Sequence, residues 1–148
     1  MAAKVLVVDD QPVIRRILRL RFEQIRCEVA EAGSAHEGLE MFFKFNPDLI
    51  TLDIVMPNVG GLTAMNLLER VRQVNDETDV IVISSITSSE EQERYRKEGA
   101  IGFISKPFDS FEGLIRKVGP LVQAIESQTM QSTLSQRLAA FSKEQADG

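Results

Sequence analysis

The sequence has no tryptophan, five prolines and a single cysteine, and the scarcity of cysteine limits the class of protein to which it can belong. Cys27 is the only cysteine among 148 residues, so the chain cannot form an internal disulfide. Disulfide-stabilised secreted scaffolds are therefore excluded. The amino terminus shows no charged segment followed by an apolar stretch, as a secretory signal would. We therefore expect a cytoplasmic protein.

Excess positive charge and long apolar runs are absent too. The 17 basic and 22 acidic side chains give a formal net charge of -5, which disfavours non-specific electrostatic binding to nucleic acid or anionic membrane. No apolar run approaches the ~20 residues that span a bilayer. The chain is 43% hydrophobic, enough for one well-buried core. We expect a single domain with no nucleic acid or membrane partner.

Five short apolar or β-branched runs alternate with amphipathic segments, which indicates a βα repeat. The runs cover residues 4–9, 27–32, 48–53, 79–84 and 101–105. Several are continuously apolar, as strands buried on both faces by helices are. Because βα crossovers are right-handed, the pattern predicts an α/β fold: a doubly wound, five-stranded parallel sheet with five helices.

Local signals mark where the helices begin and where the domain ends. A capping side chain stands three residues before a carboxylate in three places. These pairs are Ser34 with Glu37, Ser88 with Glu91, and Asp109 with Glu112. Gly119-Pro120 predicts a kink or break in the fifth helix. We predict a domain over residues 1–126 and a tail over 127–148 that is partly helical or disordered.

Chemically active side chains follow the predicted strands. Asp9 and Asp10 end the first strand, Asp53 ends the third, Ser84 ends the fourth and Lys106 follows the fifth. Parallel strands present their carboxyl ends at one edge of the sheet, where such folds bind ligands. Clustered carboxylates repel each other unless a cation neutralises them, and a hard ion such as Mg²⁺, or Mn²⁺, suits oxygen ligands.

The motifs at these strand ends resemble, in order and spacing, the signature of response-regulator receiver domains in two-component signalling. They are Asp9-Asp10, Asp53-Ile54-Val55-Met56-Pro57 with Gly61, Ile83-Ser84, and Lys106-Pro107-Phe108. The resemblance covers roughly residues 3–126. This region resembles in particular the chemotaxis-type, single-domain members of the family. It implies a flavodoxin-like sheet with strand order 2-1-3-4-5.

The resemblance also implies a role for each residue of the site. Asp53 resembles the phosphoacceptor, which takes its phosphoryl group from a sensor histidine kinase or a phosphotransfer protein. Asp10 resembles the principal metal ligand, with Asp9 supporting it and the backbone carbonyl of Val55 as a further ligand. Lys106 would supply positive charge as negative charge shifts during transfer. Such a module catalyses only its own phosphorylation and dephosphorylation.

Two further residues resemble the switch of this family. Ser84 matches the hydroxyl that moves toward the phosphoryl group, and Phe103 matches the aromatic side chain that turns inward. Phe103 carries no hydroxyl, so burial of its ring would have to be the signal. The surface that changes would bind an output protein, which the sequence does not identify.

Other functions and partners stay open to different degrees. Many receivers are joined to DNA-binding domains, so the chain could be the amino-terminal part of a longer regulator. Within the tail, only Arg137 and Lys143 are basic. An aspartate-nucleophile phosphatase would need a second aspartate where Val55 stands. Arginines crowd the first helix, as a solvated face or a docking face for an acidic partner. A homodimer also stays open.

Overall fold

Five strands and five helices alternate along the part of the chain that the structure describes. This computed structural model describes residues 2–57, 60–85, 88–106 and 111–127, together with Leu138 and Phe141. The strands are β1 (Lys4–Val8), β2 (Glu28–Ala32), β3 (Leu49–Leu52), β4 (Asp79–Ser84) and β5 (Gly102–Ser105). The helices are α1 (Pro12–Gln24), α2 (Ala35–Phe45), α3 (Ala64–Val74), α4 (Ser89–Lys97) and α5 (Phe111–Glu126). The predicted βα alternation is confirmed.

The strands form one parallel sheet in the order β2-β1-β3-β4-β5. This is the strand order that the family resemblance predicts, and it is confirmed. The register brings the strand ends level: Val8 lies opposite both Ala32 and Leu52, and Ser84 lies opposite Ser105. Residues that follow β1, β3 and β5 therefore emerge at the same edge of the sheet.

The sheet is buried on both faces, which explains its continuously apolar strands. Val5 and Val7 point into a cluster that contains the apolar face of α5 and part of α1. Leu6 and Val8 point the other way, into a cluster built with α2, α3 and Tyr95 of α4. Since successive side chains of a strand point to opposite faces, both faces need apolar residues.

Most of the predicted helix signals agree with the structure. The hydroxyl oxygens of Ser34 and Ser88 accept hydrogen bonds from backbone N–H groups three residues later, which confirms these two caps. The third predicted cap, at Asp109, lies outside the described residues. The start of α3 was not predicted from the sequence; there Thr63 and Asn66 form a reciprocal capping box. An amide replaces the usual carboxylate there.

Gly119-Pro120 predicted a kink or break in the fifth helix; the break is wrong, because α5 continues through Pro120, and the kink stays a prediction. A proline inside a helix removes one backbone hydrogen bond. Here the flanking residues Val118, Leu121 and Val122 are almost completely buried in the core. Their removal from water offsets the missing hydrogen bond and keeps the helix continuous.

The structure describes the predicted tail at three positions. Ser127 follows α5, and Leu138 and Phe141 are helical. Phe141 is 1% exposed and belongs to the core cluster that contains α5. The rest of 127–148 lies outside the described residues, so the boundary between domain and tail stays a prediction. Among the described helices, none is both long and apolar enough to cross a bilayer.

Candidate acidic site at the carboxyl ends of the strands

Three aspartates and one lysine meet at the carboxyl edge of the sheet. Asp9 follows β1, Asp53 follows β3 and Lys106 follows β5. Asp9 and Asp53 are buried, whereas Asp10 is only half-buried. One carboxylate oxygen from each of Asp9, Asp10 and Asp53 lies within 4.8 Å of the others. The structure therefore brings together side chains up to 97 residues apart in the chain.

Lys106 is the cation that faces these carboxylates. Its Nζ donates hydrogen bonds to Oδ2 of Asp9 at 2.7 Å and to Oδ2 of Asp53 at 3.2 Å. Burial alone would lower the pKa of Lys106, but the hydrogen bond to Asp9 and the charges of both aspartates raise it above its ordinary value. The lysine is thus held in its charged form.

The pKa of Asp53 is also raised, and burial is the main cause. The negative charge of Asp9 raises it further, while a hydrogen bond from the Val55 N–H and the charge of Lys106 lower it. An ion pair ordinarily lowers the pKa of its acid. Here Lys106 is shared with Asp9, so its effect on Asp53 does not outweigh burial. An added cation would favour the ionised carboxylate.

The Asp53 carboxylate is held by a hydrogen bond at each oxygen. The backbone N–H of Val55 donates to Oδ1 at 2.9 Å, and Lys106 donates to Oδ2. The Asp53 N–H donates to the carbonyl of Val8 at 2.9 Å, which ties the loop to the end of β1. These contacts fix the direction in which the carboxylate points.

Asp9 is oriented through contacts that sequence analysis did not anticipate. Its Oδ1 accepts a hydrogen bond from the Gln11 N–H at 2.9 Å. Its backbone carbonyl accepts one from Nη1 of Arg15 at 2.7 Å. Arg15 also lies 3.4 Å from Glu31, which Arg19 approaches at 3.1 Å. Arg15 therefore braces the site, whereas Arg19 pairs with Glu31 and keeps a side chain that is 43% exposed.

The oxygen ligands at this site suit a hard divalent cation. Asp9, Asp10 and Asp53 offer only carboxylate oxygens, which Mg²⁺ prefers, and no softer donor is part of the group. Burial of Asp9 and Asp53 makes their mutual repulsion expensive, and one lysine does not balance three carboxylates. A bound cation would remove that imbalance. The carbonyl of Val55 stays a predicted ligand.

The two predicted switch residues lie on the strands beside this site. Ser84 is buried at the end of β4, and its carbonyl accepts a hydrogen bond from the Lys106 N–H at 2.9 Å. Phe103 is only partly buried and packs against the cluster that contains Tyr95. The guanidinium carbon of Arg96 lies 5.6 Å from the centre of the Phe103 ring. Arg96 is a contact that sequence analysis missed.

Comparison with protein families gives one clear match. A model described as the response regulator receiver domain matches residues 5–118. The chemotaxis protein CheY of Halobacterium salinarum is 37% identical over 109 residues, which are 73% of this chain and 88% of that protein. A protein-glutamate methylesterase/protein-glutamine glutaminase of Shewanella oneidensis is 37% identical over 132 residues. That match spans 86% of this chain but only 36% of the relative.

Solved structures show the same fold. The CheY-like receiver domain protein of Methanospirillum hungatei aligns with a TM-score of 0.77 at 24% identity. The alignment covers 87% of this chain and all of that chain. At this identity the likeness shows the fold alone. It agrees with the observed strand order and the alternation of five strands with five helices.

Proposed function

This chain belongs to the response regulator receiver domain family of two-component signalling, and we propose that it accepts a phosphoryl group on Asp53. The donor would be a sensor histidine kinase or a phosphotransfer protein in the cytoplasm. One observation carries the proposal: Asp53 is buried among acidic groups, yet both of its oxygens are held by donors and one of these donors is Lys106. A carboxylate placed in this way is prepared as a nucleophile.

The proposed reaction moves one phosphoryl group between two side chains. A carboxylate oxygen of Asp53 attacks phosphorus, the bond from phosphorus to the donor nitrogen breaks, and an acyl phosphate forms. Lys106 stands beside the Asp53 oxygen, where it stabilises negative charge on the group in transfer. Asp9 holds the amine in that position. The module catalyses only this step and its own dephosphorylation, in which water attacks phosphorus, inorganic phosphate leaves and the Asp53 carboxylate is restored.

We propose that the carboxylates of Asp9, Asp10 and Asp53 and the carbonyl of Val55 hold Mg²⁺, or Mn²⁺. When bound, the ion supplies positive charge that keeps the carboxylates ionised and stabilises phosphoryl oxygens. The raised pKa of Asp53 supports this role, because its carboxylate is otherwise less readily ionised than an ordinary aspartate.

The proposed response runs through β4 and β5. Ser84 would donate its hydroxyl to a phosphoryl oxygen, and Phe103 would turn from its partly buried position into the core. The contact with Arg96 supports an outer resting position for the ring, since a cation over an aromatic face contributes about 0.5–1 kcal/mol at exposed sites. The repacked surface would then bind an output protein.

A second candidate has the same chemistry in a larger protein. The chain spans about a third of the methylesterase relative, and about half of a putative transcriptional regulator of Pseudomonas aeruginosa that is 37% identical over 105 residues. The phosphorylated receiver would then act on a domain joined to it, including one that binds DNA. The size of the protein in its native cells, measured with an antibody, separates this candidate from a single-domain receiver.

Intact mass spectrometry tests the central proposal. The chain is incubated with acetyl phosphate in Mg²⁺ or in EDTA, beside an Asp53→Asn variant and an Asp76→Asn control at an exposed turn. We expect one phosphoryl adduct on the parent and on the control, only with Mg²⁺, and none on Asp53→Asn. An equal adduct on Asp53→Asn would overturn the assignment.

A further inference from the structure

The α5-facing side of β5 has a notch at Gly102 that holds an aromatic ring from the tail. A methyl group at Gly102 would lie 2.6 Å from Cζ and 2.8 Å from Cδ1 of Phe141. A Cβ carbon essentially never approaches a non-bonded heavy atom so closely. The Phe141 ring therefore occupies the space that any other side chain at residue 102 would fill. Its 1% exposure shows that the ring is sealed from water.

This notch lies at the end of the sheet. β5 pairs with β4 and is the last strand in the order, so one of its edges has no strand partner among the described residues. Phe141 shares its cluster with Ile104 of β5 and with Leu114 of α5. The ring thus covers apolar surface where β5 and α5 would otherwise meet solvent.

The same strand carries the proposed switch. Gly102 and Phe103 are neighbours, so they face opposite sides of the sheet. Phe141 packs on one side at residue 102, and Arg96 lies over Phe103 on the other. β5 ends at Ser105, directly before Lys106 of the acidic site. A change at Lys106 or Phe103 therefore acts on the strand against which Phe141 packs.

We propose that the Phe141 side chain is an intramolecular ligand of the Gly102 notch and that phosphorylation of Asp53 weakens its binding. The coupling rests on the proposed function; the docking does not. Inward movement of Phe103 and of Lys106 toward the phosphoryl group displaces β5 from the position that fits the ring. By linkage, removing the ring favours the phosphorylated state by the same factor. A partner that presents an aromatic residue could bind this face only after the Phe141 ring leaves.

Trypsin cleavage after Arg137 reports docking of Phe141 in the full chain, because in the sequence the cleaved bond directly precedes Leu138 and is close to Phe141. Cleavage of a transiently opened segment tracks how often it opens. We expect Phe141→Ala to speed release of the fragment that ends at Arg137 by roughly tenfold or more, given the apolar area that the ring buries. Phe43→Ala, at a 60% exposed phenylalanine of α2, is the matched control and should change nothing.

Gly102→Ala tests the same contact from the strand side. Gly102 lacks the positive φ that only glycine readily adopts, so the backbone tolerates alanine there. We expect the added methyl to expel the ring and speed cleavage as strongly as Phe141→Ala does. In a Phe141→Ala background the same methyl meets no ring and should have no further effect. A parent that is cleaved as fast as Phe141→Ala would overturn the docking.

The coupling is tested with the same cleavage assay after phosphorylation. Parent and Asp53→Asn are treated with acetyl phosphate and Mg²⁺, and adduct formation is checked by mass. We expect faster cleavage after Arg137 in the phosphorylated parent only. A phosphorylated parent with unchanged cleavage overturns the coupling alone. Failure to form an adduct refutes the proposed function and the coupling with it, while the docking is decided by the unphosphorylated variants.

Discussion

Replacing Lys106 with methionine tests whether this amine balances the acidic site. Its Nζ lies 2.7 Å from Asp9 and 3.2 Å from Asp53. The side chains of the three residues are 15%, 3% and 5% exposed, so water screens them little. Methionine keeps most of the length and apolar stem of lysine but removes the charge and the hydrogen bonds.

The expected loss follows from the charges left behind. Removing one partner of a buried ion pair costs about 3–5 kcal/mol. Asp10 is half-buried, so the pocket opens toward water and the lower end applies, about 3 kcal/mol of unfolding free energy in metal-free buffer. With an m-value of about 2 kcal/mol per molar urea, the midpoint should fall by about 1.5 M.

Mg²⁺ should reverse much of this loss. A ligand at 100 times its Kd adds about 2.7 kcal/mol of stability. The parent gains stability in the same way, so the deficit shrinks only by the difference in affinity. The three carboxylates of Lys106→Met have no competing amine, so we expect about tenfold tighter binding of Mg²⁺, which recovers about 1.4 kcal/mol, or roughly half of the loss, in saturating Mg²⁺. Urea unfolding followed by circular dichroism measures both conditions. Lys97→Met, at an exposed lysine of α4, should change stability by less than about 0.5 kcal/mol.

Equal stability of Lys106→Met and the parent in EDTA would contradict this prediction, since the carboxylates would then need no cation. A stability deficit that is the same with and without Mg²⁺ would contradict it as well.

Three further predictions concern other parts of the fold. Arg72 donates hydrogen bonds to the carbonyls of Thr78 and Gly99, at 2.5 Å and 2.9 Å. Arg72→Met should therefore lower the unfolding free energy by about 3 kcal/mol. An unchanged midpoint in urea titrations would contradict this. Burial raises the pKa of Cys27 to about 12, so a thiol reagent at pH 8 should modify it only after unfolding, and its stabilising contribution should fade as pH rises from about 9 toward 12. Ser84→Ala should still be phosphorylated but should lose the phosphorylation-dependent change in amide hydrogen exchange along β4 and β5; a retained change would remove that hydroxyl from the switch.

The sheet and the acidic group were predictable because the signals that specify them are local. Continuously apolar runs mark strands buried on both faces, and parallel pairing brings the residue after each strand to one edge. The sequence alone therefore predicts that Asp9, Asp53 and Lys106 lie together, as they do in the structure. The strand order could not be predicted in this way, because the periodicity of apolar residues does not determine it. Only the family resemblance predicted the order 2-1-3-4-5.

Features that depend on tertiary contacts were not predictable. Arg15 looks like the other arginines of α1, and only the fold shows that it donates to the Asp9 carbonyl. Pro120 carries a local signal for a break, which burial of the residues around it overrides. The sequence predicts only that the tail is partly helical or disordered, and nothing in it indicates that the Phe141 ring fits a notch at Gly102.

The most direct test of the phosphoacceptor assignment is chemical mapping of the modified residue. The chain is phosphorylated with acetyl phosphate and Mg²⁺, the acyl phosphate is reduced with borohydride, and the peptides are sequenced by mass spectrometry. Reduction converts an aspartyl phosphate to homoserine. We expect homoserine at position 53 alone, and none when EDTA replaces Mg²⁺. Homoserine at Asp9 or Asp10 instead, or equal modification of position 53 without Mg²⁺, would contradict the proposed site.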